Sequence, residues 1–138
     1  MRLTSLFIIL LLVSCKKDKV PSPYSETLLE NGMIVLCEGL FQQNNSSVSW
    51  VDYSNSEISN SFFLDNSQRM LGDTGNDIQQ YGNKIYIVVN VSSTIEVVDA
   101  TNFTSIKQIS MIANNVSKQP RNITFSDGKA FVTCYDGF

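Results

Sequence analysis

The stretch "GNDIQQYGNKIYIVVN", residues 75–90, decides the fold. It passes from small polar residues into an apolar run and stops at Asn90. At an offset of 45, "PRNITFSDGKAFVTCY" (residues 120–135) repeats the shape, setting Lys129 on Lys84 and Asn122 on Asp77. A second correspondence lays "SVSWVDYSN" (47–55) against "TIEVVDATN" (94–102) at an offset of 47, with Asp52 on Asp99 and Asn55 on Asn102. A third, at an offset of 52, relates "GMIVLC" within "GMIVLCEG" to "KIYIVV" within "NKIYIVVN" and pairs Leu36 with Val88 and Cys37 with Val89. The step from 52 to 47 is a five-residue insertion within "EGLFQQNNSS", and insertions are tolerated in loops.

Each unit reads as short strands. Ile78–Tyr81 is followed by a turn at Gly82-Asn83, and Lys84–Val89 is apolar on both faces, so it must be covered on both sides. After a turn at Asn90–Ser93, Thr94–Asp99 alternates, with Ile95 and Val97 on one face and Glu96 on the other. Asp99–Asn102 is a turn whose side chains can bond the local backbone, and Ser105–Ile112 is a polar-mixed outer strand. No 3.6-residue apolar pattern persists in the mature chain, which therefore reads as all-β. A period near 45 residues with four strands per period predicts a partial β-propeller of about two blades. The expected blades are 32–64, 76–112 and 121–138, within a domain at 31–138. Unit one lacks a first strand and unit three stops after two, nine strands in all, so the chain reads as the N-terminal part of a longer protein. A β-sandwich without repeats is the competing fold.

Cys37 and Cys134 both align with Val89, placing them in blades two apart. A disulfide needs Cα atoms within about 7 Å, so two buried free thiols are expected.

The N-terminus carries an address. Arg2 precedes an unbroken apolar run, Leu6–Val13, which as a helix spans only about 12 Å and cannot cross a bilayer. The ending Leu12-Val13-Ser14-Cys15 resembles a bacterial lipobox. Residues 1–14 are then a lipoprotein signal peptide, Cys15 the lipid attachment site, and 15–30 a tether stiffened by Pro21 and Pro23. The competing reading is an ordinary cleaved secretion signal.

The net charge of −3 and the lack of a basic cluster argue against nucleic acid as a partner. The sequence contains no histidine, the commonest general base and metal ligand, and no metal, phosphate or nucleophile motif. No catalytic residue, metal or cofactor is therefore assigned. Asp73 and Asp77 lie in a segment dense in turn formers and read as a blade connection.

"GMIVLCEG", "LGDTGNDIQQYGNKIYIVVN", "STIEVVDATN" and "PRNITFSDGKAFVTCYDG" together resemble the YncE-like propeller lipoproteins of Gram-negative outer membranes. The family has Asn-Glu-Gly after its first strand where this chain has Cys37-Glu38-Gly39. The resemblance implies a seven-bladed, surface-anchored outer-membrane protein with a lipid anchor, a TonB-dependent transporter as partner and a small-molecule ligand. One branch comprises cobalamin-capture lipoproteins. A periplasmic-facing anchor is the alternative placement.

Loops that enter first strands and loops that join second to third strands open on one end of a propeller, where ligand sites gather. Here those loops bring Asp77, Asn90, Arg121 and Tyr135 forward as ligand-lining candidates, beside the inserted loop with Phe41. The expected function is a binding module, capturing a small ligand or docking on a transporter. The alternatives are a propeller enzyme, such as a lactonase or lyase, and a structural or adhesion scaffold.

Overall fold

The computed structural model describes residues 28–135, which form an all-β fold, a partial β-propeller of antiparallel sheets. Cys15, the expected signal peptide, most of the expected tether and residues 136–138 lie outside the described residues. A four-residue helix, α1 (Leu28–Asn31), leads into β1 (Gly32–Cys37), β2 (Ser47–Asp52) and β3 (Ile58–Ser59), the sheet of blade one. Helix α2 (Phe62–Ser67) connects to blade two, a four-stranded sheet of β4 (Gly75–Tyr81), β5 (Lys84–Val89), β6 (Thr94–Asp99) and β7 (Ser105–Ser110). A hairpin, β8 (Ile112–Ala113) and β9 (Val116–Ser117), precedes β10 (Pro120–Ser126) and β11 (Lys129–Cys134) of blade three. The nine expected strands are thus present, with one further hairpin.

The repeat holds in register. Lys84 opens β5 opposite Tyr81, and Lys129 opens β11 opposite Ser126. Both first strands also carry a bulge at the same place, at Asn76 between Gly75 and Asp77 and at Arg121 between Pro120 and Asn122. The bulge explains why strand β4 starts at Gly75, three residues before the expected Ile78.

β5 fills two cores. Ile85, Ile87 and Val89 pack with Val48, Phe63, Leu71, Val98, Ala100 and Phe103 between blades one and two. Val88, backed by Tyr86, packs with Ile95 and Ile123 between blades two and three. Phe125 closes that second seam, stacking on Tyr81 at 4.7 Å. The two-sided apolar run "IYIVV" is therefore what a strand between two sheets requires.

The structure corrects several boundaries. Blade one was expected to run to Leu64, yet residues 62–67 are helical. At six residues α2 is too short to show a helical period, and tertiary packing holds it. Phe62 stacks on Trp50 at 5.8 Å and Phe63 meets Phe103 edge-on. Trp50 in turn lies over Gly32, where a Cβ would come within 2.2 Å of the indole. The outer strand of blade two ends at Ser110, two residues early; the Met111 amide still donates to Ser93 O, and Ile112 then opens the β8–β9 hairpin. The cysteines are free, as expected, but Cys37 is exposed and Cys134 only half-buried. Their equivalent, Val89, is fully buried because blade one covers it; no described element covers β1 in the same way.

Glu96, on the polar face of β6, is 0 % exposed. Arg69, in the segment after α2, donates to its two oxygens at 2.9 and 2.5 Å, and Gln108 donates to Oε1 at 2.5 Å. The guanidinium also sits 5.1 Å from the centre of the Phe63 ring. The hydrogen-bonded Glu96 carboxylate raises the Arg69 pKa further, so the guanidinium stays charged. It clamps the blade-one linker across blade two. Arg69→Ala should cost about 2–3 kcal/mol in denaturant unfolding, since it strands a buried carboxylate. Arg69→Met with Glu96→Leu should recover most of that loss; equal destabilisation by both variants would show that the clamp is not the cause.

Candidate functional site

The ladders fix which loops share an end. Val89 pairs with Thr94 and Gly75, and Thr94 pairs with Ser110, so Gly72–Thr74, Asn90–Ser93 and the β8–β9 hairpin lie together. The inserted loop Glu38–Ser46 joins them through the Ser46–Gly72 bridge, and Tyr135 through its amide bond to Gln119 O. The expected grouping of Asp77, Asn90, Arg121 and Tyr135 at one end is what the structure shows.

Their roles there differ. Asp77 Oδ2 accepts from the Ile123 amide of blade three at 2.9 Å, and Oδ1 accepts from Gln79 at 3.0 Å. Asn90 is buried and its Nδ2 donates to Pro120 O at 2.9 Å. Both side chains staple blade two to blade three through backbone groups. Arg121 and Tyr135 are exposed and make no ion pair among the described residues.

Residues not singled out in sequence do as much to shape this end. Ser46 and Ser93, equivalent at an offset of 47, are both 1 % exposed. Ser46 Oγ donates to Glu38 O and accepts from the Gly75 amide at 2.7 Å; Ser93 Oγ meets Ser117 Oγ at 2.8 Å and accepts from the Gln119 amide at 3.0 Å. Each serine ties a second-to-third-strand loop to the entry of the next blade. The signal was a serine recurring at an offset of 47, in "NSS" (45–47) and "SST" (92–94).

Asp73 anchors the inserted loop. Its carboxylate accepts from the Gln42 and Asn44 amides, each at 3.1 Å, and from Thr74 Oγ1 at 2.7 Å, while its own amide donates to Ser92 Oγ at 2.8 Å. The Thr74 hydroxyl first, then the two amides, hold the carboxyl below the usual range against the opposing effect of burial. Gln42 and Asn44 take positive φ, so the loop curls tightly around the carboxylate. It projects Leu40 and Phe41, each 68 % exposed. Across the same end, Ile112, Val116 and Tyr135 are also exposed. A cleft of about 80 Å³ opens at the end of the inserted loop, lined by Asn45, Val48, Phe63, Leu64, Met70 and Leu71 together with serines.

The opposite end is built from polar turns. Asp52 and Asp99 each cap their own turn, accepting from Ser54 and Thr101, whose hydroxyls hold both carboxyls below the usual range. Among the described residues Tyr53 is the one large apolar side chain exposed in those turns, and no three carboxylate or thiol groups cluster as metal ligands anywhere.

A depressed folded pKa contributes order above the unfolded value near 3.9 and loses it as pH falls through the folded value. The Gln42 and Asn44 amides should therefore stay protected from exchange down to about pH 4 and lose protection below it. Asp73→Ala should lower that protection about tenfold at neutral pH and erase its acid dependence. Unchanged exchange in the variant would mean the loop is held by other contacts.

Residues 31–138 match the family model described as a domain of unknown function (DUF5074). No curated protein matches the chain. Since the family match takes in every strand and both blade junctions, the chain belongs to the DUF5074 family.

Proposed function

We propose that this chain is a lipid-anchored, YncE-like propeller module of the outer membrane that binds a partner through its loop-bearing end. The carrying observation is the contrast between the two ends of the sheets. One end presents Leu40, Phe41, Ile112, Val116 and Tyr135 from three separate connections; at the other the turns cap themselves, with Met33, Tyr53 and Ile58 exposed around one of them. Exposed apolar side chains gathered from separate loops on a rigid scaffold favour association with another surface. Ordering Leu40 and Phe41 in advance, through Asp73, lowers the entropy cost of binding. Arg121 and Tyr135 supply the cation and the amphipathic ring enriched at interface centres.

The anchor is Cys15 behind its lipobox, and a TonB-dependent transporter of the same membrane is the partner, with a small ligand handed between them. Labelled palmitate should enter the full-length protein and not Cys15→Ala. The full-length protein should co-purify with a TonB-dependent transporter, and Leu40→Ser with Phe41→Ser should weaken that association at least tenfold while leaving the melting temperature unchanged. Label in the Cys15→Ala protein would remove the anchor, and undiminished co-purification of the double variant would remove the loop-end interface.

A further inference from the structure

We infer that the cleft between β2 and α2 binds a small neutral molecule, a short branched alkyl group joined to a carbonyl or hydroxyl oxygen. The site stands independently of the loop-end reading. Both its walls, β2 with Asn45 and the segment 61–71, lie inside the described chain, so neither chain end shapes it.

The cleft exists because blades one and two differ in their outermost strand. In blade two, β7 pairs with β6 from Thr94 to Val98. In blade one, β3 pairs only with Trp50 and Val51 before the chain turns into α2. Val48 is equivalent to Ile95 at an offset of 47, and it lacks the outer-strand partner that Ile95 has in Ile109. Helix α2 and Met70-Leu71 bridge the gap without filling it, which leaves the hollow beside Val48.

The walls specify the apolar part of the ligand. Val48, Phe63 and Leu71 are each at most 3 % exposed and belong to the core between the blades, so the floor is apolar and fixed. Leu64 and Met70 at the mouth are exposed, and the unbranched Met70 can adapt its shape to an occupant. An apolar cavity of about 150 Å³ takes up benzene, so the volume of about 80 Å³ suits roughly three or four carbons. Ile109, at the matching register of blade two, shows a branched aliphatic group in that place.

The mouth specifies the polar part. None of the residues lining the cleft is charged, and a charge moved into it would be unpaired, so the ligand is neutral. Ser61 precedes α2 without making a side-chain cap bond, and its hydroxyl has no partner among the described residues. Asn45 Oδ1 accepts from the Leu40 amide at 2.7 Å, which fixes the carboxamide and leaves Nδ2 as a donor. Two donors beside an apolar floor call for an acceptor oxygen next to the alkyl group.

The test titrates isobutyramide into the full-length protein carrying methyl-labelled valine and leucine. Saturable shifts confined to the Val48, Leu64 and Leu71 methyls are expected. Isobutyrate has the same shape with a charge, and benzamide has the same head on a larger body; each should bind at least about tenfold more weakly. Ser61→Ala should weaken isobutyramide binding about fivefold, the loss of one neutral hydrogen bond. Ser61→Leu, which sets an apolar side chain across the mouth, should abolish binding with the melting temperature unchanged; if that variant fails to fold, Ser61→Ala and the three ligands decide. The proposal would be overturned by the absence of a saturable shift, by shifts spread over the other valines and leucines, by equal binding of isobutyrate, or by undiminished binding to the folded Ser61→Leu protein.

Discussion

Coverage of β5 on both faces is the constraint from which the other features follow. A strand with Ile85, Ile87 and Val89 on one side and Tyr86 and Val88 on the other cannot lie on a surface. It forces a sheet to each side, and the chain supplies them by repeating the unit that contains it. The wedge-like stacking, the short connections and the placement of aromatic residues at the seams are consequences. Phe62, Phe63, Phe103 and Phe125 sit between sheets.

Much of this was legible because strand alternation and unit length are local properties. Lys84–Val89 and Thr94–Asp99 have the boundaries that the sequence predicts. What escaped was decided by contacts distant in sequence. Helix α2 exists because Trp50 and Phe103 receive its phenylalanines. Glu96 resembles an ordinary solvent-facing residue until Arg69 arrives from 27 residues upstream. The exposure of Cys37 depends on what lies beyond β1, which periodicity within β1 does not encode.

The candidate site was legible as a location more than as chemistry. Loop topology brought Asp77, Asn90, Arg121 and Tyr135 to one end, and they are there. Side-chain type could not separate Asp77 and Asn90, which join blades, from Arg121 and Tyr135, which face solvent. Asp73 was read as part of a connection, and it is; its added effect is to give a five-residue insertion a fixed shape. A loop that looks pliable in sequence is held by one carboxylate.

The bulges at Asn76 and Arg121 have a consequence for how such a protein can change. A bulged residue is counted out of the ladder, so its identity is uncoupled from pairing while its backbone position is set by the neighbours on either side. One blade uses a carboxamide there and the next a guanidinium with no shift in frame. Each of the two first strands therefore offers one address where charge and size can be rewritten without disturbing the scaffold.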